Sequence, residues 1–91
     1  MSSEIVRFYQ DWGIHPGEEV RFEEALDDGD YTRAQFDDSG TPLLAEFYAS
    51  GRLFHVDYWT NAPESTRRDH VARHPGVLSS TWSAPTPSTP R

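Results

Sequence analysis

The chain is short and acidic: its 91 residues contain 15 Asp and Glu against 8 Arg and no Lys, a net charge of −7. A chain of this length forms one small domain with a thin core, which disfavours two-domain enzymes and dinucleotide-binding folds, and its lack of cysteine excludes disulfides and thiol nucleophiles. No apolar run approaches the ~20 residues of a membrane-spanning helix, and no signal peptide is recognisable, so we expect a cytoplasmic protein.

The first predicted elements are a strand and a turn. Residues 5–9, Ile-Val-Arg-Phe-Tyr, are rich in β-branched and aromatic side chains and predict a strand that pairs with the centre of the chain. Residues 12–17 contain two glycines and a proline, which indicates a turn-rich connection. Two interpretations of residues 18–26 stay open: a strand over Val20–Leu26, or a helix that ends at Gly29.

The negative charge is concentrated in residues 18–38, here called the acidic segment. It holds nine acidic residues and two arginines, whereas the rest of the chain is neutral overall. Such a run is typical of a solvated edge that aids solubility, and the alternative is a docking surface for a basic partner. Basic residues cluster only at Arg67, Arg68 and Arg73, where Asp69 interrupts them. We therefore expect no nucleic-acid partner and no membrane partner.

An eleven-residue repeat occupies the centre of the chain. The segments 34–40 and 45–51 share Ala, Phe, Ser and Gly at a constant offset, which is the interval of a short strand followed by a tight turn. Glycine supplies the positive φ that such turns need. The repeat predicts strands over Tyr31–Asp37, Pro42–Tyr48 and Leu53–Trp59.

The last third of the chain predicts a helix followed by an extended segment. Thr60 or Asn61 caps this helix, which runs through Pro63 and Glu64 to about His74, where Pro75 ends it. Val77–Trp82 forms a last strand or wraps around the domain.

Together these elements predict an α+β fold. It consists of an antiparallel β-meander of four to six strands with one short C-terminal helix on one face. We expect a single small domain over residues 1–82. Residues 83–91 have the Pro/Ser/Thr composition of a flexible tail.

The repeat resembles known hairpin repeats. Phe-Asp-x-x-Gly at 36–40 and Phe-Tyr-x-x-Gly at 47–51 are similar to the Tyr/Asp-Gly hairpins of YD (Rhs-type) and antitoxin-type β-repeat proteins. The order of Arg-Phe-Tyr at 7–9, the acidic segment, Tyr-Thr-Arg-Ala at 31–34 and two hairpins is similar to a family of short bacterial proteins with no known activity. The exclusive use of arginine also fits a GC-rich bacterial genome. The repeat resemblance covers residues 31–59 and implies a β-meander without identifying a substrate.

The register across the two turns sorts the strand residues onto two faces. We expect Asp37 to pair with Pro42, and Tyr48 to pair with Leu53. One face is then almost entirely apolar and forms the core side, which the C-terminal helix covers near Val71. That core face consists of Ala34, Phe36, Leu43, Ala45, Phe47, Phe54, Val56 and Tyr58. The opposite face consists of Tyr31, Arg33, Gln35, Leu44, Glu46, Tyr48, Leu53, His55, Asp57 and Trp59.

The mixed composition of this second face favours a binding function. The large side chains of Tyr31, Tyr48 and Trp59 are unusual for a purely solvated surface, and Arg33 and Gln35 lie beside them. The leading hypothesis is a small binding or accessory module. It would recognise a protein or a small-molecule ligand through this face or through the acidic segment. Any homodimer is expected to form through a sheet edge.

An enzyme is the alternative hypothesis. In the expected register Arg33, Glu46 and His55 are laterally adjacent, and Asp57 is two residues from His55. A carboxylate beside His55 would raise its proton affinity, which suits a cofactor-independent acid–base enzyme such as an isomerase, cyclase or lyase of specialised metabolism. Ordinary cross-strand ion pairs would give the same pattern. An antitoxin or immunity protein is a third hypothesis, and it rests on acidity and on the repeat resemblance.

Metal binding has weaker support in the sequence. His70 and His74 are four residues apart on the predicted helix, which places them on one side of it. However, Val71 stands where the zinc-protease pattern requires glutamate. We therefore expect no metal and no other cofactor.

Overall fold

The computed structural model describes residues 5–15 and 17–83. The elements are β1 (Ile5–Gln10), β2 (Glu19–Val20), α1 (Phe22–Asp28), β3 (Tyr31–Phe36), β4 (Pro42–Ala49), β5 (Arg52–Trp59), α2 (Glu64–Arg73) and β6 (Leu78–Trp82). Neither helix of this part of the chain has the length and apolar character that crossing a membrane would require.

All six strands form one sheet, in the order β2-β1-β3-β4-β5-β6. Neighbouring strands are antiparallel except β5 and β6, which run parallel because the chain passes through α2 between them. The predicted α+β class is confirmed. The repeat lies at the centre of the sheet, where Ala34 and Ala45 pair directly and are both 0% exposed.

Residues 18–26 contain both of the elements that the sequence left open. The chain first pairs with β1 as the short strand β2 and then turns into α1. The Glu24 carboxylate accepts a hydrogen bond from the backbone N–H of Arg21, which satisfies one free group at the start of the helix. Gly29 ends α1 with a φ of 83°. The strand expected over Val20–Leu26 is therefore wrong beyond its first residue.

The C-terminal elements lie close to their predicted positions. α2 begins at Glu64 rather than directly after Thr60 or Asn61, because the Thr60 N–H still donates to the carbonyl of Trp82 and extends the sheet. β6 corresponds to the last predicted strand. The tail expected over residues 83–91 lies, after its first residue, outside the described residues.

One register shift decides which side chains of β5 share a face. Tyr48 pairs with Leu53 as predicted, but Phe47 pairs with His55, so Phe54 has no partner on β4. This β-bulge moves every later residue of β5 to the face opposite the predicted one. It allows Leu53 to share a face with Val56, and these two side chains belong to the same small core.

The predicted faces are therefore wrong for the second half of β5. Val56 pairs with Glu46, and Tyr58 lies on the same side of the sheet. His55 and Asp57 lie on the other side. The alternating sequence of β5 fits either orientation, and only the bulge decides between them.

Both helices pack on one side of the sheet, here called the helix face. In α1 the Phe22 ring lies 4.9 Å from the ring of Phe8, and in α2 His70 contacts Tyr58. The helix face includes Phe8, Tyr31, Arg33, Gln35, Leu44, Glu46, Tyr48, Leu53, Val56 and Tyr58. The expectation that the C-terminal helix covers the face of Phe36 and Phe47 is therefore wrong.

The other side, here called the loop face, carries the second core. It contains the buried side chains Tyr9, Ala34, Phe36, Ala45 and Phe47. The connection after β1 covers part of it: Ile14 packs on this core, and the backbone N–H of Gly13 donates to the hydroxyl of the buried Thr32 at 2.9 Å. Thr32 in turn donates to the carbonyl of Asp11 at 2.9 Å, which fixes the path of the connection.

Deleting Phe54 is expected to preserve the sheet, because the pairing of β4 with β5 already skips this residue. The variant loses the edge-on contact of Phe54 with Trp12, whose ring centroids are 5.4 Å apart. Loss of this ring contact is expected to lower the free energy of unfolding by about 1 kcal/mol. In a domain of this size that change lowers Tm by roughly 4–8 °C. Deleting Val56 instead moves Tyr58 off the helix face and should abolish cooperative unfolding. Thermal unfolding followed by circular dichroism distinguishes the two deletion variants. An unfolded Phe54 deletion variant would contradict the bulge.

Asp37 closes the β3–β4 turn instead of pairing with Pro42, which pairs with Phe36. Its carboxylate accepts hydrogen bonds from the backbone N–H groups of Thr41 and Ser39, each at 2.9 Å, and from the Ser39 hydroxyl at 2.8 Å. These bonds, that of the Thr41 N–H foremost, hold the pKa of Asp37 below its ordinary value. The turn therefore depends on the ionised carboxylate.

Acid is expected to weaken this turn. Because the folded-state pKa of Asp37 is lowered, its ionised form stabilises the fold above about pH 4, and this contribution is lost as the pH falls through the lowered pKa. Asp37→Asn should therefore be less stable than the parent protein at pH 7, and the difference should shrink in acid. Urea unfolding across a pH series measures it. A difference that does not change with pH would exclude this role of the carboxylate.

Candidate functional site

The centre of the helix face holds a buried carboxylate. Glu46 lies in the middle of β4 and is 4% exposed. Arg33 stands directly opposite it on β3, as the predicted register required, and donates from Nη1 to Glu46 Oε1 at 3.0 Å. The Tyr48 hydroxyl donates to the same oxygen at 3.2 Å. These contacts compensate the loss of water around the charge.

His70 of α2 completes the surroundings of Glu46. Its Nε2 lies 2.6 Å from Glu46 Oε2, and its Nδ1 lies 2.7 Å from the Tyr58 hydroxyl. With the proton on Nε2, the ring donates to Glu46 and accepts from Tyr58, so both ring nitrogens of His70 have a partner. We call Arg33, Glu46, Tyr48, Tyr58 and His70 the carboxylate network.

The charge states of the carboxylate network are fixed by its contacts. Burial favours the neutral form of Glu46, but the hydrogen bond from His70 and the positive charge of Arg33 outweigh it and hold the pKa of Glu46 below its ordinary value. Burial raises the pKa of Tyr48, and the neighbouring carboxylate raises it further. Burial also raises the pKa of Tyr58. Near neutral pH an ionised carboxylate therefore lies between neutral phenols.

A polar cavity of about 210 Å³ opens beside this network, between α2 and strands β3 and β4. Two arginines and two histidines line it together with one carboxylate, two uncharged polar side chains and one leucine: Arg33, Arg73, His70, His74, Glu46, Gln35, Thr66 and Leu44. Arg73 forms no ion pair with any residue that the structure describes. Because the charges of Arg33 and Glu46 cancel, Arg73 leaves the lining of the cavity with one surplus guanidinium charge inside an acidic chain.

A larger depression of about 480 Å³ lies on the other side of α2. It is lined by Trp59, Arg67, Arg68 and Val71 and is open along the helix. The Arg67 guanidinium lies 5.5 Å from the centroid of the Tyr58 ring, an arrangement typical of a packing contact. Because the carboxylate network borders the smaller cavity, that cavity is the better candidate site.

Glu46, His70 and His74 are of types that bind metal ions, and their ligand atoms lie within 4.8 Å of one another. However, Nε2 of His70 and Oε2 of Glu46 are 2.6 Å apart. Two ligands of one tetrahedral zinc ion would be roughly 3.3 Å apart for bonds of about 2.0–2.1 Å. Arg33 also neutralises the carboxylate. These residues fit an internally paired network better than a metal site.

The predicted catalytic residues are divided between the two faces. Glu46 lies on the helix face, whereas the bulge in β5 places His55 and Asp57 on the loop face. There His55 Nε2 lies 3.0 Å from Asp57 Oδ1 and 3.2 Å from the Ser80 hydroxyl. The imidazole that does reach Glu46 is that of His70.

The predicted ligand-binding residues are divided in the same way. Arg33 and Gln35 line the polar cavity. Tyr31 and Tyr48 stack on each other with ring centroids 4.5 Å apart, and they support the sheet beneath α1 rather than line the cavity. Trp59 packs against the core of the loop face.

Sequence reasoning did not assign Tyr58, His70 and Arg73 to a binding site. The helix was expected to contact the sheet near Val71, but Val71 is 48% exposed and His70 is 5% exposed. The spacing of His70 and His74 was the available signal, since it places both rings on one side of α2. Nothing in the sequence indicated that a buried glutamate would face them.

Comparison with protein-family models, with curated proteins and with solved structures finds no match. The resemblance to YD and antitoxin-type repeats therefore stays a prediction. The function must be argued from the residues of the site.

Tyr58→Phe is expected to lower the free energy of unfolding by about 1–2 kcal/mol, because Nδ1 of His70 loses its partner in a buried position. Tyr9→Phe is the matched control. The Tyr9 side chain is as deeply buried, but its hydroxyl forms no hydrogen bond with any described residue. Urea unfolding at pH 7 measures both variants, and equal losses would show that the bond to His70 contributes nothing.

Proposed function

We propose that this protein is a small binding module whose ligand is a small organic anion, such as a carboxylate. The polar cavity beside α2 is the binding site. The observation that carries the proposal is the pair of guanidinium groups, Arg33 and Arg73, that line this cavity with His74 in a chain of net charge −7. Low-dielectric walls around a basic cleft concentrate anions locally, even on an acidic protein.

Both arginines have hydrogen-bonding capacity left for a ligand. Arg33 uses Nη1 for Glu46, and a guanidinium carries five N–H donors. Arg73 has no ion-pair partner among the described residues. A planar carboxylate matches the forked geometry of a guanidinium, so a ligand carboxylate between these two side chains would be held by charge-assisted hydrogen bonds.

The size of the cavity limits the ligand. About 210 Å³ corresponds to roughly seven water molecules at ~30 Å³ each. Drug-sized ligands occupy cavities of roughly 300–1,000 Å³. The ligand is therefore a metabolite of a few carbon atoms, or a single acidic side chain of a protein partner.

The chemistry of the site favours binding over acid–base catalysis. Both ring nitrogens of His70 are engaged, by Glu46 and by Tyr58. The pKa of Glu46 is held low, so this carboxylate is a poor proton acceptor near neutral pH. An enzyme that used His55 and Asp57 would act on the loop face, apart from the cavity.

Docking of a basic protein on the acidic segment is the second candidate. The exposed helix α1 carries Glu23, Glu24, Asp27 and Asp28, and its last turn contains no basic residue. The antitoxin hypothesis requires a partner of this kind. Docking of a basic protein and the antitoxin hypothesis both imply that the protein–protein complex weakens with rising salt, because exposed charges are screened.

Arg73→Gln is expected to weaken anion binding about tenfold, since it removes one charge-assisted hydrogen bond while leaving the carboxylate network intact. Arg68→Gln is the control, because Arg68 lies on the same helix but lines the other depression. Amide chemical shifts and calorimetry would be recorded with acetate, succinate and inorganic phosphate. The proposal fails if none of these anions shifts the amides of β3, β4 and α2, or if both variants lose affinity equally.

A further inference from the structure

We infer that two copies of this chain join edge to edge through β6, as an antiparallel pair centred on Ser80. The result is one continuous sheet of twelve strands. This inference goes beyond the proposed anion site and is independent of it, because β6 does not line the polar cavity.

The outer side of β6 offers a row of backbone hydrogen-bonding groups. Among the residues that the structure describes, β6 is an edge strand with β5 as its neighbour. The Trp82 carbonyl points towards β5, since it accepts from the Thr60 N–H at 2.9 Å. Peptide groups of alternate residues point to opposite sides of a strand. The N–H and C=O groups of Ser79 and Thr81 therefore point outward.

β6 also lacks the features that normally prevent pairing at a sheet edge. Such edges carry charges, prolines or bulges. The sequence of β6, Leu-Ser-Ser-Thr-Trp, contains no charge and no proline. Leu78 is 70% exposed and Trp82 is 53% exposed. The other edge differs, because β2 has two residues, one of them Glu19, and lies next to the acidic helix α1 in the chain.

The charge distribution favours β6 over β2 as the edge at which a second copy pairs. β2 and β6 lie at opposite edges of the sheet, five strand spacings or about 24 Å apart. Contact through β6 keeps the two acidic ends separated by several Debye lengths of ~8 Å. Contact through β2 would bring them together. Self-association of a chain with a net charge of −7 is therefore least opposed at β6.

The length of β6 and the alternation of its outward-pointing backbone groups fix the register of the pair. With a two-fold axis at Ser80, Ser79 faces Thr81 of the partner subunit, and each directs its N–H and C=O towards the other. This arrangement forms four backbone hydrogen bonds. Leu78 then faces Trp82 of the partner subunit. Ser80 contacts His55 on the loop face, and the side chains of Leu78 and Trp82 share that face, so the apolar pair forms there.

The sequence that follows β6 is rich in proline. Residues 84–91 contain three prolines, which have no N–H to donate to a neighbouring strand. A second copy of β6 supplies every group that the pairing needs.

Ser80→Cys tests the register directly, because the chain has no native cysteine. In the inferred pairing the two Cys side chains face each other at a non-hydrogen-bonded position with Cα atoms about 4.5 Å apart, which is within disulfide range. Ser65→Cys, at an exposed position of α2, is the control. We expect mild oxidation to link the Ser80→Cys protein at least tenfold faster. Equal rates for the two variants would overturn the inference.

A second measurement keeps the test independent of the disulfide. The unmodified chain should sediment as a dimer, and Thr81→Pro should raise its dissociation constant at least tenfold, because it removes an outward N–H that β5 does not use. Thr81→Val retains that N–H and should remain dimeric. Circular dichroism verifies that both variants are folded. A monomeric parent chain at ~0.5 mM, or a Thr81→Pro variant that is folded and fully dimeric, would refute the pairing. If the chain is monomeric but still binds anions, the pairing fails and the proposed function stands.

Discussion

The whole arrangement depends on one buried negative charge. Glu46 is ionised inside the domain, and it is tolerated there because Arg33 reaches it along the sheet while His70 reaches it from α2. A buried charge that loses a partner typically costs 3–5 kcal/mol, which is a large part of the stability of a domain this small. The contact between β3 and β4 and the docking of α2 are therefore parts of the same interaction. Few apolar side chains of α2 could replace it, since His70 is the buried residue of that helix.

The sequence allowed the sheet to be predicted further than the site. The repeat at 34–40 and 45–51 is a local signal of strand and turn, so it predicted the meander and the pairing of Arg33 with Glu46. The bulge at Phe54, in contrast, has no signal in the neighbouring sequence. It depends on which residues of β5 can face α2, and alternation along a strand is unchanged when one residue is skipped. The predicted partner of Glu46 was therefore His55, whereas the actual partner comes from a helix 24 residues further along the chain.

The two faces of the sheet serve different physical purposes. The loop face buries aromatic and small apolar side chains and carries the His55–Asp57 pair near its edge. The helix face buries charge, and its polar cavity arises because α2 contacts the sheet through a histidine rather than through a continuous apolar stripe. The feature that makes this helix weakly apolar is thus the feature that leaves room for a ligand.

The parallel pairing of β5 with β6 has a consequence for how this edge of the sheet is held in place. A hairpin needs only a tight turn, but a parallel strand needs a longer crossover connection, and here that connection contains α2. The strand that forms this edge of the sheet and the imidazole that reaches Glu46 therefore lie on one short stretch of chain, so the position of each limits where the other can lie.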